Sequence, residues 1–249
     1  MANKKCYLLR GFPGSGKSSL VKKILHDNNI SYDHVFSTDS LFIPVTNELI
    51  KINISKTDLS DLISICEKIR KILSTYVQID TNKEECEKIY IKYIQLFNSG
   101  DYVKAIEFAK TNQSKVEYLE YRNNWNFSSS SINHKKNQNN FFTAVDSGMT
   151  PVIVDNTNIA VKEGAVYVQY AHKHGYEIII QEPNSPHWNE YKQYLNNRYL
   201  NKNKIAEFAD VLYGKNTHGV PKDTILKMID RWALNPSVND YLNYGKQND

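Results

Sequence analysis

Cysteine is scarce in this chain of 249 residues: Cys6, Cys66 and Cys86 are too few, odd in number and too widely spaced for a disulfide framework or a CxxC metal knuckle. A reducing compartment is the natural reading. Long apolar runs are also missing. Stretches such as Pro151 to Val154 and Ile178 to Ile180 fall far short of the roughly 20 residues of a membrane helix, so no membrane contact is expected and a cytoplasmic location is, or a nuclear one in a eukaryote. A secretory leader is not expected, because the apolar stretch after Lys4 and Lys5 is broken by Arg10 and runs into a Gly-rich loop. Neither sign of charge dominates: 31 Lys and Arg stand against 27 Asp and Glu, a balance of +4 that leaves several partner classes open. What the chain does have is core material, 41% hydrophobic and 12% aromatic, which excludes disorder throughout and suits one large domain or a domain with an insertion.

The pattern along the chain reads as strand (Cys6 to Arg10), loop (Gly11 to Gly16), helix (Ser18 to His26, burying Leu20, Val21, Ile24 and Leu25) and a second short strand (His34 to Thr38). From about Ile43 to Glu120 the period becomes helical, with Leu59, Leu62, Ile63, Cys66, Ile69 and Leu73, then Ile89, Tyr93, Leu96 and Phe97 as apolar positions. The stretch from Gly100 to Ala109 looks like half a tetratricopeptide unit, but nothing repeats it, so a helical hairpin is expected. Ser128 to Ser131 reads as a polar loop, Lys135 to Gly148 as a helix, Pro151 to Val154 as a buried strand and Val161 to His174 as a helix. Tyr176 to Gln181 follows as a strand, and Pro221 to Trp232 as a helix with Pro at its first position. Strands alternating with helices predict an α/β fold with a parallel sheet. The expected division is a core of 1–42 and 121–232, a helical insertion of 43–120 and a tail of 233–249.

Residues Gly11 to Ser18 fit G-x-x-x-x-G-K-[ST] in full and stand between a predicted strand and a predicted helix, the context that motif requires. Its glycines let backbone N–H groups turn inward onto phosphate oxygens, and the helix N-terminus adds its positive dipole end. Gly11, Pro13, Gly14, Ser15, Gly16, Lys17, Ser18 and Ser19 are thus the expected ATP-binding residues. Lys17 would reach the β and γ phosphates and Ser18 would ligate Mg²⁺. A GTPase would need Asn-Lys-x-Asp, and Asn201 to Lys204 lacks the Asp. An oligomeric ATPase usually sets Glu after its strand-end Asp, whereas Asp155 is followed by Asn156, which favours transfer to an acceptor. Asp39, 22 residues after Lys17, either takes the proton of an acceptor hydroxyl or N-caps a helix from Ser40. Asp155 is read as a partner of a Mg²⁺-bound water or an anchor of the site, with a structural strand-end role as the alternative.

Five blocks in order carry a family resemblance: Gly11 to Ser18, Ser37 to Asp39, Val152 to Asn158, Gly175-Tyr176 leading to Glu182-Pro183, and Lys215 to Pro221. Together they resemble the polynucleotide 5′-hydroxyl kinase group of P-loop kinases, and within it the kinase domain of ubiquitin-ligase-binding proteins. The resemblance covers roughly residues 1 to 42 and 121 to 232. It implies a three-layer P-loop fold and transfer of the ATP γ-phosphate to a hydroxyl, often the 5′-hydroxyl of RNA or DNA, with Asp39 as general base. It also implies a lid after Glu182. The family usually has Arg immediately before the lid's Asn-x-His element. Here that residue is Lys215, which keeps the charge without the bidentate fork, and Arg198 is a candidate substitute.

Phe42 stands where the phage member of the group has an Arg for a nucleic-acid phosphate. Arg122, Lys135 and Lys136 could supply phosphate contacts, and Tyr118, Tyr121, Trp125 and Phe127 could stack bases or pack the insertion onto the core. Two other functions stay open on the sequence: a small-molecule P-loop kinase with the insertion as cap, and a nucleotide-dependent module whose insertion binds a protein partner. His218 has a lid hydrogen bond or a helix N-terminal contact as its two readings. His172 and His174 diverge on a helix and receive no role.

Overall fold

The computed structural model describes residues 3–74 and 84–246, apart from the side chains of 84–87 and 127. The Cys86 thiol and the Phe127 ring therefore lie outside the described residues. Along the chain run β1 (Lys5–Leu9), α1 (Lys17–Asn28), β2 (Val35–Phe36), α2 (Pro44–Lys51), α3 (Leu59–Leu73), α4 (Glu84–Asn98), α5 (Tyr102–Thr111) and α6 (Gln113–Asn124). Then come α7 (Phe127–Asp146), β3 (Val152–Val154), α8 (Val161–Lys173), β4 (Glu177–Gln181), α9 (Pro186–Lys192), α10 (Lys202–Lys215), α11 (Lys222–Asp230) and α12 (Val238–Leu242). Two compact units result: Met1–Thr38 with Ile132–Asp249, and Asp39–Ser131.

The first unit holds a four-stranded sheet in the order β2-β3-β1-β4, every pair parallel, as the alternation of strands and helices predicted. Its central strand β1 has apolar side chains on both faces, as a strand covered by helices on both sides must. Cys6 and Leu8 face a core with Val152, Val154, Phe141 of α7 and Ala165, Val168 and Ala171 of α8. Tyr7 and Leu9 face Val21, Ile24 and Leu25 of α1, with Ile153 beside them. Burial pushes the Cys6 thiol up to about 12, and Cys6 and Cys66 are both free and buried. Near the C-terminus, Ser237 and Asp240 form a capping box that starts α12 and leads Tyr241 into the core. An added Cβ on Gly164 would lie 2.8 Å from both Leu8 and Tyr241, so glycine lets α8 approach β1 and α12 this closely.

The second unit is helical, as read from the sequence. Its core joins Val45 and Leu49 of α2, Leu62, Cys66, Ile69 and Leu73 of α3, Tyr93 and Phe97 of α4, and Ala105, Ile106 and Ala109 of α5. Two positions expected on this stripe are exposed, Leu59 at 70% and Ile63 at 41%. Leu59 is the first residue of α3, and Ile63 lies about 100° round the helix from Leu62. Glu120 of α6 is buried, and its carboxylate accepts from the backbone N–H of Val45 (2.7 Å) and Thr46 (2.8 Å) and from the Thr46 hydroxyl (2.6 Å). A glutamate from a distant helix thus caps the first turn of α2, where amides have no acceptor within the helix.

Three differences from the sequence reading have a local physical cause. Ser128 to Ser131, expected as a loop, is helical, because Asn126 and Ser129 cap the start of α7 reciprocally: Ser129 N donates to Asn126 Oδ1 (2.7 Å) and Asn126 N to Ser129 Oγ (2.9 Å). Strand β2 is two residues long, since a 3₁₀ turn over Tyr32–His34 takes its start. Pro221 is the N-cap of α11 rather than its first residue, with extended ψ of 147°. Among the described residues no helix is long and apolar enough to cross a membrane. Glu120→Ala should destabilise the fold by about 1–3 kcal/mol, the cost of leaving buried amides without an acceptor, as read from urea unfolding. Glu120→Gln should recover part of that loss, because an oxygen at the Oε2 position still accepts two of the three bonds, those from Thr46.

Candidate functional site

At the C-terminal end of β1 the chain makes a tight turn closed by Ser15 N donating to Phe12 O (3.1 Å). Pro13 and Gly14 are its central residues, and Gly14 has φ 76°, the positive φ that a type II turn demands at that position. An added Cβ on Gly14 would overlap Leu212 O and lie 3.0 Å from Asn216 N, so the C-terminal part of α10 runs directly against the loop. Gly16, also left-handed at φ 100°, is the N-cap of α1. Phe12 is fully buried among Trp188, Phe208 and Trp232, with ring centroids 5.7, 6.0 and 4.9 Å away. That anchor fixes the first half of the turn.

Lys17 Nζ donates to Gly11 O (2.9 Å) and Phe12 O (3.3 Å), which lays the ammonium across the loop. The Ser15 hydroxyl is buried and has no hydrogen-bond partner among the described residues. Ser18 and Ser19 are exposed in the first turn of α1, and Gly11 N donates to Thr157 O (3.0 Å) in the loop after β3. From α9, His187 Nε2 is 2.9 Å from Gly14 O, and Ser185 Oγ donates to Ser15 O (2.9 Å) while accepting from Trp188 N (3.2 Å) as the helix cap.

Directly before the loop, Arg10 is 1% exposed. Its guanidinium donates to Asn158 O (3.2 Å), Ala233 O (2.7 Å) and Ile159 O (3.5 Å), pairs with Glu182 at 3.0 Å and sits 4.1 Å over the Trp232 ring. Burial pulls its pKa below the ordinary value, against the opposing charges of Glu182 and Glu163. Glu182 also pairs with Lys192 at 2.6 Å. Asn158, buried at φ 42°, donates to Leu9 O (2.7 Å). The loop is thus held at the C-terminal edge of the sheet, where open α/β sheets bind ligands.

The other predicted residues fall as follows. Asp155 is half-buried at the end of β3, its N–H donating to Phe36 O (3.0 Å). Beside it, Asn156 Oδ1 accepts from Thr38 N (2.9 Å), and Thr38 Oγ1 is 3.2 Å from His134 Nδ1. In the second unit, Asp39 accepts a hydrogen bond from the Tyr121 hydroxyl (3.3 Å), and burial, then the Asp39 charge, pushes the Tyr121 phenol well up. Phe42 is buried against Tyr121, ring centroids 5.2 Å apart. Lys215 ends α10 with an exposed side chain one residue before Asn216, whose side chain folds the following turn by accepting from Val220 N (2.9 Å). Arg198 instead donates to Leu195 O (3.1 Å) and Asp230 O (3.0 Å). Of the aromatic candidates, Trp125 is 49% exposed, Tyr118 half-buried and Tyr121 buried, while Arg122, Lys135 and Lys136 are exposed.

Sequence reasoning missed Arg10, Ser185 and His187. A signal existed for Arg10, since a charge ending a buried strand needs a partner, and Glu182 ends the neighbouring strand. For Ser185 and His187 the contact is tertiary, 170 residues or more from the loop, and the sequence carries no pattern for it.

Over 105 residues, 42% of this chain, the sequence is 30% identical to NEDD4-binding protein 2 of Homo sapiens. The chain spans about 5% of that protein's length. The relationship is distant and partial. No protein-family model matches the chain. No solved structure matches it. Arg10→Ala should lower stability by about 3–5 kcal/mol, the cost of breaking a buried pair, and Arg10→Lys should not restore it because an ammonium cannot reach the separate carbonyls at once. Urea unfolding midpoints of the three proteins test this.

Proposed function

We propose that this chain is a kinase that transfers the γ-phosphate of Mg²⁺-bound ATP to a hydroxyl, the 5′-hydroxyl of RNA or DNA. The observation that carries the reading is the Gly11 to Ser18 loop, turned at Pro13-Gly14 and laid between β1 and α1. Beside the partial relationship to NEDD4-binding protein 2, the reading is supported by the blocks Val152 to Asn158 and Gly175 to Pro183, which resemble those of polynucleotide 5′-hydroxyl kinases.

The residues present suit the nucleotide. Among the described residues the buried Ser15 hydroxyl has no acceptor, and Lys17 is bonded to neutral carbonyls that phosphate oxygens would outcompete. They also suit Mg²⁺. Among the described residues no group of three or more His, Cys, Asp or Glu could cage a metal. Mg²⁺ does not ask for one, because it keeps several waters and binds through one or two protein oxygens plus substrate phosphates. Ser18 would supply a ligand and Asp155 would hold a metal-bound water. Held there, Mg²⁺ would supply positive charge against that of the phosphates.

Asp39 then acts as general base on the acceptor hydroxyl, its carboxylate oriented by the hydrogen bond from Tyr121. Lys215, beside the turn at Gly14, stabilises the transferring phosphate, and Arg198, committed to two backbone carbonyls, holds the lid segment instead. Trp125 offers an exposed surface for stacking a base. The helical unit remains available to a protein partner.

With labelled ATP, Mg²⁺ and short 5′-hydroxyl RNA or DNA, label should pass to the oligonucleotide. Asp39→Asn should cut that transfer by about 10²- to 10⁴-fold, the range for a general base, while nucleotide binding stays intact. Transfer undiminished in the variant would remove Asp39 from this role. No transfer to either oligonucleotide would reject the polynucleotide acceptor.

A further inference from the structure

The loop's carbonyl side is as deliberately held as its amide side. In a trans peptide the C=O and the following N–H point in opposite directions, so whatever fixes the oxygen fixes the hydrogen. The oxygen of the Ser15–Gly16 peptide accepts from Ser185 Oγ at 2.9 Å, which turns the Gly16 N–H the opposite way, away from α9. One residue earlier, Gly14 O meets His187 Nε2 at 2.9 Å, and Ser15 N closes the turn on Phe12 O. Two successive carbonyls of the loop are therefore held by one short helix turn.

That helix turn is itself rigidly mounted. Ser185 caps α9 by accepting from Trp188 N, and Trp188 is fully buried against Phe12 of the loop and against Trp232. Loop and brace thus share one aromatic core. His187 Nε2 also lies 3.2 Å from Ser185 Oγ, so the two bracing side chains sit side by side. For Gly14 O to be satisfied the Nε2 atom must carry the proton.

We infer that Ser185 and His187 are positioning residues of the phosphate loop: Ser185, through the Ser15 carbonyl, sets the Gly16 amide for the phosphates of a bound nucleotide, and His187, through the Gly14 carbonyl, holds the turn that Ser15 N closes on Phe12 O. The role asks no contact of either residue with the nucleotide. They act through the peptide planes. The inference rests on the reading of Gly11 to Ser18 as a phosphate cradle, and it needs no assumption about the acceptor.

His187 gives the cleaner test, because Ser185→Ala would also uncap α9. The measurement is the dissociation constant of the non-hydrolysable analogue AMP-PNP with Mg²⁺, beside that of adenosine, for the full chain and for His187→Ala and His187→Gln. Below the unfolding temperature of each, His187→Ala should weaken AMP-PNP about 3- to 10-fold, the usual worth of one hydrogen bond, and leave adenosine unchanged. His187→Gln, whose side-chain amide N–H has a similar reach, should restore most of the loss. Equal weakening of both ligands, a Gln variant no better than Ala, or no change in either would overturn the inference. A parent chain that binds no AMP-PNP would instead overturn the cradle reading on which it stands.

Discussion

The end of β1 is organised by a single buried guanidinium. Arg10 joins three segments distant in sequence: the turn after β3 through Asn158 and Ile159, the end of β4 through Glu182, and the segment after α11 through Ala233 and Trp232. Charge is expensive to bury, and a lone guanidinium in a core would be disruptive. Here the planar fork meets three carbonyls, a carboxylate and a ring face. The geometry that satisfies Arg10 is also the geometry that aligns the strand ends from which the Gly11 to Ser18 loop departs.

From that fixed point the loop needs little further instruction. Phe12 sinks into the aromatic core of α9, α10 and Trp232, Pro13-Gly14 turns the chain, and Gly16 hands it to α1. The left-handed Gly14 has a second reason to be glycine, since the backbone of α10 occupies the space a side chain would need. Conformational freedom and close approach thus make the same demand at one residue. The carbonyls that face away from the loop end on Ser185 and His187, so that both sides of the peptide planes are specified.

Much of this was legible in sequence. The strand, loop and helix at the start of the chain, the parallel α/β pattern and the helical character of the middle segment follow from apolar periodicity and from Gly, Pro and Asn at the breaks. Periodicity failed where a local hydrogen bond overruled it. Ser128 to Ser131 looks like a loop because serines are polar, yet Asn126 and Ser129 cap a helix there. Leu59 and Ile63 fit a helical count but not the narrower buried face of α3. Contacts between distant residues, such as Glu120 on the start of α2 or His187 on Gly14, leave no periodic trace, and only folding brings them together.

The central claim is that the braced loop holds the phosphates of a nucleotide through Lys17. Isothermal titration of the chain with Mg²⁺ and a non-hydrolysable ATP analogue, beside Lys17→Ala, addresses it directly. The account predicts one nucleotide per chain and an affinity about 10- to 100-fold weaker in the variant, the range for hydrogen bonds to charged groups. Equal affinity for the two proteins, or no binding to either, would contradict it.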